Sequence, residues 1–312
     1  MRKISKDSRP EELDPRIPNE CSIYVSLQST HKVSDGELSP FPLDKFRQKR
    51  PKERVMKYFR ETLAVAQRIL MELWSRKRSL IFWAIFPALL LVLNSLILQE
   101  RLQISLEEAY TNAAPPTLVG AALFFSGLGG SVATVVAERE QQTLKRLFLS
   151  PLSGVSYFLG ICLAYIAIGL GQAVLVYGIA RSQGASFSGP PWANLLIILL
   201  SIAAYVGLGF VLGTQLARRT EDVNALVAAF GVPLMILGGT FLPASLFPET
   251  LLDIAQFNPI YHMIEAFYGL AAAGETLAEV REHVQFLGIF AIAMVFSGWF
   301  AYRRMVQVER QL

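Results

Sequence analysis

The chain has 312 residues, of which 53% are hydrophobic and only 17% are charged, with a formal net charge of +4. A soluble globular domain carries roughly 25% charged residues, so this composition argues against a soluble protein. Residues 1–79 contain 18 Lys and Arg, whereas residues 80–312 contain 11. A polar, basic head therefore precedes a long apolar body.

Residues 1–54 are rich in Pro, Ser and charged side chains and lack a sustained hydrophobic period. This pattern predicts a disordered, basic cytoplasmic tail, either a simple extension or a regulatory segment. Its basic run at 44–60 would attract anionic membrane lipids. No recognisable nucleic-acid module surrounds the run, so nucleic acid is not an expected partner.

Residues 55–75 have a helical period. Phe59, Leu63, Ala66, Leu70 and Leu73 recur at spacings of three and four, whereas most charged residues fall elsewhere. This pattern predicts an amphipathic helix on the inner membrane surface. An upstream extension of the first membrane span is the alternative.

Six apolar stretches follow, each at least 19 residues long and free of Asp, Glu, Lys, Arg and His. They lie at 80–98, 117–137, 155–180, 192–216, 223–242 and 284–302. Each can cross about 30 Å of hydrocarbon at 1.5 Å per residue. Residues 55–312 are therefore predicted to form an all-α integral membrane domain with six transmembrane helices. The pairs Gly209/Gly213 and Gly127/Ser131 predict close helix packing, more within one subunit than between two.

The distribution of basic residues predicts the orientation, because short basic loops stay in the cytoplasm. With the N-terminus inside, ten Lys and Arg flank the spans on the inner side and three on the outer side. Both termini are therefore expected in the cytoplasm.

The outer segment 243–283 is more than an ordinary loop. Pro248 opens a short helix-compatible run, Asn258-Pro259 is a helix cap followed by proline, and Gly274 can end that second helix. Both pieces are too short to span a bilayer. They predict a re-entrant helical hairpin before the last span.

Catalytic and metal-binding patterns are absent from the sequence. The three histidines, His31, His262 and His283, lack metal-site spacing, and no phosphate-binding GxxxxGK[ST] occurs. The uncharged spans also lack the ionisable groups typical of ion-driven carriers. An enzyme is not expected, and the energy source is expected outside the chain. A passive channel or secondary carrier and, more remotely, a membrane enzyme built on 243–283 are the alternatives.

A polar segment follows the second span: Glu138-Arg139-Glu140, then Thr143-Leu144, then Ser150-Pro151-Leu152-Ser153. A solvated connector is the simplest interpretation of such a cytoplasmic loop, but its apolar residues among charges indicate a docking surface. The segment is similar to the "ERE…GTL…L…SPLS" loop of ABC type-2 exporter permeases. The outer run from Gly238 through Pro243 and Pro248 to Asn258-Pro259 resembles that family's "G-x-x-F-P … NP" pattern. Gln142 and Lys145 depart from the family's usual Gly and acidic residue.

The resemblance covers about residues 55–312 and implies a permease subunit of an ATP-driven exporter in the cell's inner membrane. Two permease subunits, copies or paralogues, would pair with two ATPase subunits that bind ATP and Mg. No cofactor or metal is expected on this chain. The implied ATPase-coupling residues are Glu138, Arg139, Glu140, Thr143, Leu144, Leu147, Phe148, Ser150 and Pro151. The implied outer residues are Gly239, Pro243, Pro248, Asn258 and Pro259.

Overall fold

The computed structural model describes residues 51–75, 77–141, 152–217 and 219–309. Every regular element in these ranges is a helix, which confirms the predicted all-α class. The tail was predicted over 1–54. Residues 1–50 and the loop 142–151 lie outside the described residues, whereas residues 51–54 belong to the first helix, so the predicted tail was four residues too long.

Nine helical segments follow one another along the described chain. In chain order they are α1 (Pro51–Ser75), α2 (Lys77–Leu102), α3 (Leu106–Glu140), α4 (Gly154–Ser182), α5 (Pro191–Leu216), α6 (Thr220–Leu237), α7 (Glu249–Ala255), α8 (Pro259–Tyr268, continued as a π-helix over Gly269–Ala273) and α9 (Arg281–Glu309). A single 3₁₀ turn, Ala244–Leu246, lies between α6 and α7.

Six of these helices, α2 to α6 and α9, are long and apolar enough to cross a membrane. The six predicted spans are thus confirmed, with one difference in the fifth. That span was predicted to reach residue 242, but α6 ends at Leu237. Gly239 has a φ of +87°, and the Gly239 and Thr240 amides donate to the carbonyls of Ile236 and Met235. This Schellman motif ends the helix.

The long helix α3 is the centre of the bundle. Over an apolar stretch of 18 residues, 78% of α3 is buried inside the structure, whereas only 17% of the corresponding stretch of α9 is buried. Pro115 and Pro116 lack amide hydrogens, and the helix continues beyond them with π-type hydrogen bonding over Pro116–Ala122 and Phe124–Gly129. Of the predicted small residues, Gly209 of α5 packs on Ser131 of α3, whereas Gly127 of α3 packs on Tyr205 of α5. A methyl group on Gly213 of α5 would lie 3.1 Å from the Cβ atom of Val135 of α3, so the packing lies within one chain.

The helix α1 confirms the helical prediction for 55–75 and lies along α4. A methyl group on Gly160 would come 2.6 Å from Val65 Cβ, so the small residue permits the close approach. Val65, Ala66 and Ile69 are buried, whereas Phe59 and Leu63 are exposed. Part of the apolar side of α1 therefore packs on α4, and the exposed Phe59 and Leu63 belong to the face predicted to meet the membrane. The position of α1 on the membrane surface stays a prediction.

Consecutive helices run between two ends of the bundle. We call the end that carries 138–141, 152–156 and 217–222 the loop end, and the end that carries 238–280 the hairpin end. Two short helices, α7 and α8, occupy the predicted outer segment. Their re-entry into the membrane stays a prediction.

Candidate coupling site

Glu138 lies in the last turn of α3 and is almost fully buried. Its Oε1 atom accepts a charged hydrogen bond from the Arg68 guanidinium of α1, and the two side chains form an ion pair. Its second oxygen, Oε2, is buried and has no hydrogen-bond partner among the described residues. A buried carboxylate is costly without a counter-charge. Arg68 is therefore required to hold Glu138 in place.

Arg139 points to the end of another helix. Its Nη1 atom donates to the carbonyl oxygens of Gly213 at 3.2 Å and Ala217 at 3.1 Å. These carbonyls belong to the last, π-type turn of α5 and the residue after it. A cation at a helix C-terminus satisfies carbonyls that lack intrahelical partners. Arg139 thus fastens α3 to the end of α5.

Glu140 binds the start of the next helix. One carboxylate oxygen accepts from the Thr220 amide at 3.0 Å, and the other accepts from the Thr220 hydroxyl. Thr220 is the first residue of α6, where an anion is favoured by the free amides and the helix dipole. Arg139 therefore places a positive charge at the C-terminal end of α5, and Glu140 places a negative charge at the N-terminal end of α6.

The far side of the loop is fastened to α1 as well. Ser153 caps α4 by accepting from the Ser156 amide at 3.0 Å. Glu61 of α1 accepts from the Ser156 hydroxyl at 2.8 Å and the Ser153 amide at 3.4 Å. Partial burial opposes ionisation of Glu61, but the hydrogen bonds from Ser156 and Ser153 and the charge of Lys57 outweigh it and lower its pKa. The carboxylate therefore stays ionised and holds the start of α4.

These contacts make one junction at the loop end. Arg68 and Glu61, seven residues apart on α1, hold the end of α3 and the start of α4, between which the loop 142–151 lies. Arg139 and Glu140 extend the junction to α5 and α6. A force on the loop would therefore reach four transmembrane helices and α1. Thr143, Leu144, Leu147, Phe148, Ser150 and Pro151 lie outside the described residues, and their docking role stays a prediction.

Sequence reasoning missed the partners in this junction. It placed Glu61 and Arg68 on the polar side of α1, and only the i, i+4 spacing of Lys57 and Glu61 hinted at an ordered carboxylate. Nothing in the sequence pointed to the carbonyls of Gly213 and Ala217, because backbone acceptors leave no residue signature.

The predicted outer residues lie around the hairpin end and are close to one another along the chain. The Asn258 side chain accepts from the Ile260 amide at 3.0 Å and donates to the Leu234 carbonyl at 2.6 Å. It thus caps α8, with Pro259 in the first turn, and fastens α8 to α6. Pro243 precedes the 3₁₀ turn, and Pro248 is the residue before α7. Their functional role stays a prediction.

Among the described residues, no group of three or more His, Cys, Asp and Glu could hold a metal ion. His262 and His283 do meet at the hairpin end, with their Nδ1 atoms 2.9 Å apart. The His262 Nε2 atom lies 2.8 Å from the Gln256 carbonyl. Since a carbonyl only accepts, Nε2 carries the proton, and the His262 Nδ1 atom accepts from His283.

The known proteins to which this chain is similar include several membrane permeases. The chain is 22% identical over 197 residues to the inner membrane transport permease YadH of Escherichia coli K12, which covers 63% of this chain and 76% of YadH. It is 26% identical over 133 residues to the "Probable multidrug ABC transporter permease YbhR" of the same strain, covering 42% of this chain and 36% of YbhR. A third relative from that strain, the inner membrane transport permease YhhJ, is 25% identical over 168 residues, which is 52% of this chain and 43% of YhhJ.

The sequence model of the family described as "ABC-2 family transporter protein" matches residues 93–300. The match includes α3 to α8, the triplet Glu138-Arg139-Glu140 and most of α9. The chain therefore belongs to the ABC-2 transporter family and is a multi-pass membrane permease component of an ABC transporter.

Proposed function

We propose that this chain is the permease subunit of an ATP-driven exporter and that it couples to a separate ATPase subunit through residues 138–152. The ATPase subunit would bind ATP and Mg, and a second permease, a copy or a paralogue, would complete the translocation path. The relatives named inner membrane permeases favour the inner membrane as its location. The excess of basic residues on one side of the spans would place both termini in the cytoplasm.

The single observation that carries the proposal is the junction at the loop end. Five charged side chains, those of Glu61, Arg68, Glu138, Arg139 and Glu140, are occupied in holding helix ends together. Because these charges are satisfied within the chain, the loop's apolar side chains remain to contact a partner. Leu144, Leu147 and Phe148 would fill a groove on the ATPase, and the junction would pass its movement to α3, α4, α5 and α6.

One relative is named as a multidrug permease. Drug-like molecules are therefore one substrate class for this chain, together with lipids and polysaccharides. The transport direction, export, rests on the resemblance of the loop and outer patterns to exporter permeases.

The test is purification of the tagged full chain in mild detergent, with identification of co-purifying proteins and an ATPase assay. We expect a stoichiometric nucleotide-binding subunit with ATPase activity. Leu144→Asp combined with Phe148→Asp should remove that subunit while the permease elutes as before in gel filtration.

A matched control changes the opposite end. Glu249 and Leu251 of α7 are exposed, and Glu249→Lys with Leu251→Asp should leave the ATPase bound. The proposal is wrong if the wild-type chain carries substrate across vesicle membranes without any ATPase, which is the behaviour of a channel or carrier. It is also wrong if the loop variant retains the ATPase.

A further inference from the structure

A cavity of about 730 Å³ lies at the hairpin end, between α2, α3, the turn after α6, and α8. Its volume falls within the roughly 300–1,000 Å³ of small-molecule sites. It is distant along the chain from the coupling junction and takes no part in the proposed docking.

The cavity wall is mostly apolar. Ile97, Leu98 and Leu102 of α2 form one side, and Phe241 and Leu246 belong to the segment after α6 on the other. Phe241 and Leu102 are well exposed. An apolar body with few hydrogen-bonding groups fits such a wall.

Polar groups in the wall leave hydrogen-bonding capacity unused. The Asn94 amide donates to the Thr240 carbonyl at 3.3 Å. The Thr240 side chain is 1% exposed, and its hydroxyl has no hydrogen-bond partner among the described residues. Buried polar atoms normally have hydrogen-bond partners, and the Thr240 hydroxyl lacks one among the described residues.

Glu265 of α8 is the decisive group. This residue is partly buried and lines the cavity, and its carboxyl has no ion-pair or hydrogen-bond partner among the described residues. Burial, and then the negative charge of Glu275, raise the pKa of this carboxyl. A carboxylate in such a place is unfavourable by itself and is stabilised by any cation that enters.

Other carboxylates lie near Glu265 at this end of the bundle. The Tyr268 hydroxyl, which donates to Asn112 Oδ1 at 3.4 Å, lies in the field of three carboxylates. Burial, and then Glu265, Glu108 and Glu275, raise the pKa of Tyr268. Carboxylates therefore predominate among the charges that act on Tyr268. Arg101, the one cationic side chain among the described residues that line the cavity, is exposed in the last turn of α2, where water can solvate it.

We infer that this cavity binds an amphipathic organic cation, whose charged centre contacts Glu265 and whose apolar body lies against α2 and residues 241–246. The unpaired carboxylate of Glu265 favours a ligand with a positive charge, and the apolar wall favours a ligand with a large apolar part. The cation can come from two sources, an aminolipid of the surrounding bilayer or a soluble amphiphile.

The test uses a pair of ions with the same shape and opposite charge, tetraphenylphosphonium and tetraphenylborate. Binding of each is measured by equilibrium dialysis to the full chain in phosphatidylglycerol nanodiscs, with empty nanodiscs subtracted. We expect saturable binding of the cation. Glu265→Gln should weaken it roughly tenfold, the loss typical of one charged contact, whereas Glu265→Asp should retain most of it.

Two control variants sharpen the result. Arg101→Gln removes a like charge and should leave cation binding equal or tighter. Glu249→Gln removes an exposed carboxylate of α7 outside the cavity wall and should change nothing. Adding phosphatidylethanolamine to the nanodiscs separates the two sources, because an aminolipid occupant would compete with the probe and a soluble one would not.

Equal binding of the two ions would overturn the inference, and so would cation binding that Glu265→Gln leaves unchanged in a variant with the wild-type unfolding temperature. The measurement needs no ATPase. A negative result would therefore leave the proposed coupling function intact, and loss of the ATPase partner would leave the cation site intact.

Discussion

At the loop end, Glu138, Arg139 and Glu140 each contact a different helix, whereas at the hairpin end Glu265 has no ion-pair or hydrogen-bond partner among the described residues. These three charges of the loop end are therefore compensated inside the chain. At the hairpin end, Glu265 is the one acidic residue among the described residues that line the apolar cavity, and its charge is uncompensated.

The difference matches what each end is proposed to do. An end that transmits force must be stiff, and charged hydrogen bonds to helix ends provide that stiffness. An end that receives a ligand must leave a group free to meet it. Substitutions that remove charges should therefore destabilise the loop end, whereas loss of the Glu265 charge should change binding and leave stability unharmed.

The largest effect is expected at the Arg68–Glu138 pair. Arg68→Met leaves Glu138 buried without a counter-charge and should lower the free energy of unfolding by about 3 kcal/mol. Glu138→Gln should cost less, because Arg68 is partly exposed and reaches water. Denaturant titration in one detergent measures both.

Two further variants check this prediction. Arg60→Met, on the exposed part of α1, should have little effect. The double variant Arg68→Met with Glu138→Met should recover most of the loss. A double variant as unstable as Arg68→Met would show that the ion pair is not the cause.

The next effect concerns the anchor of the hairpin end. Asn258→Ala removes the cap of α8 and the hydrogen bond to Leu234, and should cost about 2 kcal/mol. Thermal unfolding of the purified chain measures the loss. Asn224→Ala, at an exposed position of α6, is the matched control, and an equal shift in both variants would contradict the assigned role of Asn258.

A smaller effect is expected for Arg139→Gln, which removes the contacts with the carbonyls of Gly213 and Ala217. We expect a loss of about 1 kcal/mol and faster hydrogen exchange at the α5–α6 connection. Arg304→Gln, an exposed residue of α9, should leave that exchange unchanged. Faster exchange spread over all helices would argue against a local contact.

The smallest effect is a dependence on pH at the hairpin end. Burial lowers the pKa of His262 below its usual 6.5, although the Gln256 carbonyl opposes this. The neutral form is therefore the stabilising one, so stability is complete above about pH 6.5 and declines as the pH falls through the lowered pKa. Full protonation also sets two N–H groups against each other between His262 and His283.

Protection factors of the α8 amides at pH 7.5 and 5.5, corrected for the pH dependence of intrinsic amide exchange, test this dependence. Glu265 lies one turn further along α8 and Glu282 lies beside His283 in the chain, so the response must be assigned to His262 by a variant. His262→Phe is that control and should remove the difference. Persistence of the difference in that variant would assign it to another group.

The sequence alone determined the number and approximate bounds of the six spans, because uncharged apolar stretches of that length have few alternatives to a membrane helix. It also determined local caps, such as Asn258 before Pro259 and Gly274 at the end of α8, since a cap depends only on neighbouring residues. The end of α6 was placed five residues too far because residues 238–242 are apolar and their turn depends on the left-handed Gly239.

Tertiary structure alone decided which charges meet. Arg68 and Glu138 are 70 residues apart, and Glu140 and Thr220 are 80 apart, so no local pattern joins them. The face that α1 buries was decided by the groove that Gly160 opens in α4. The isolation of Glu265 was equally hidden, because the absence of a partner is a property of the space around a residue and not of the residues beside it in the chain.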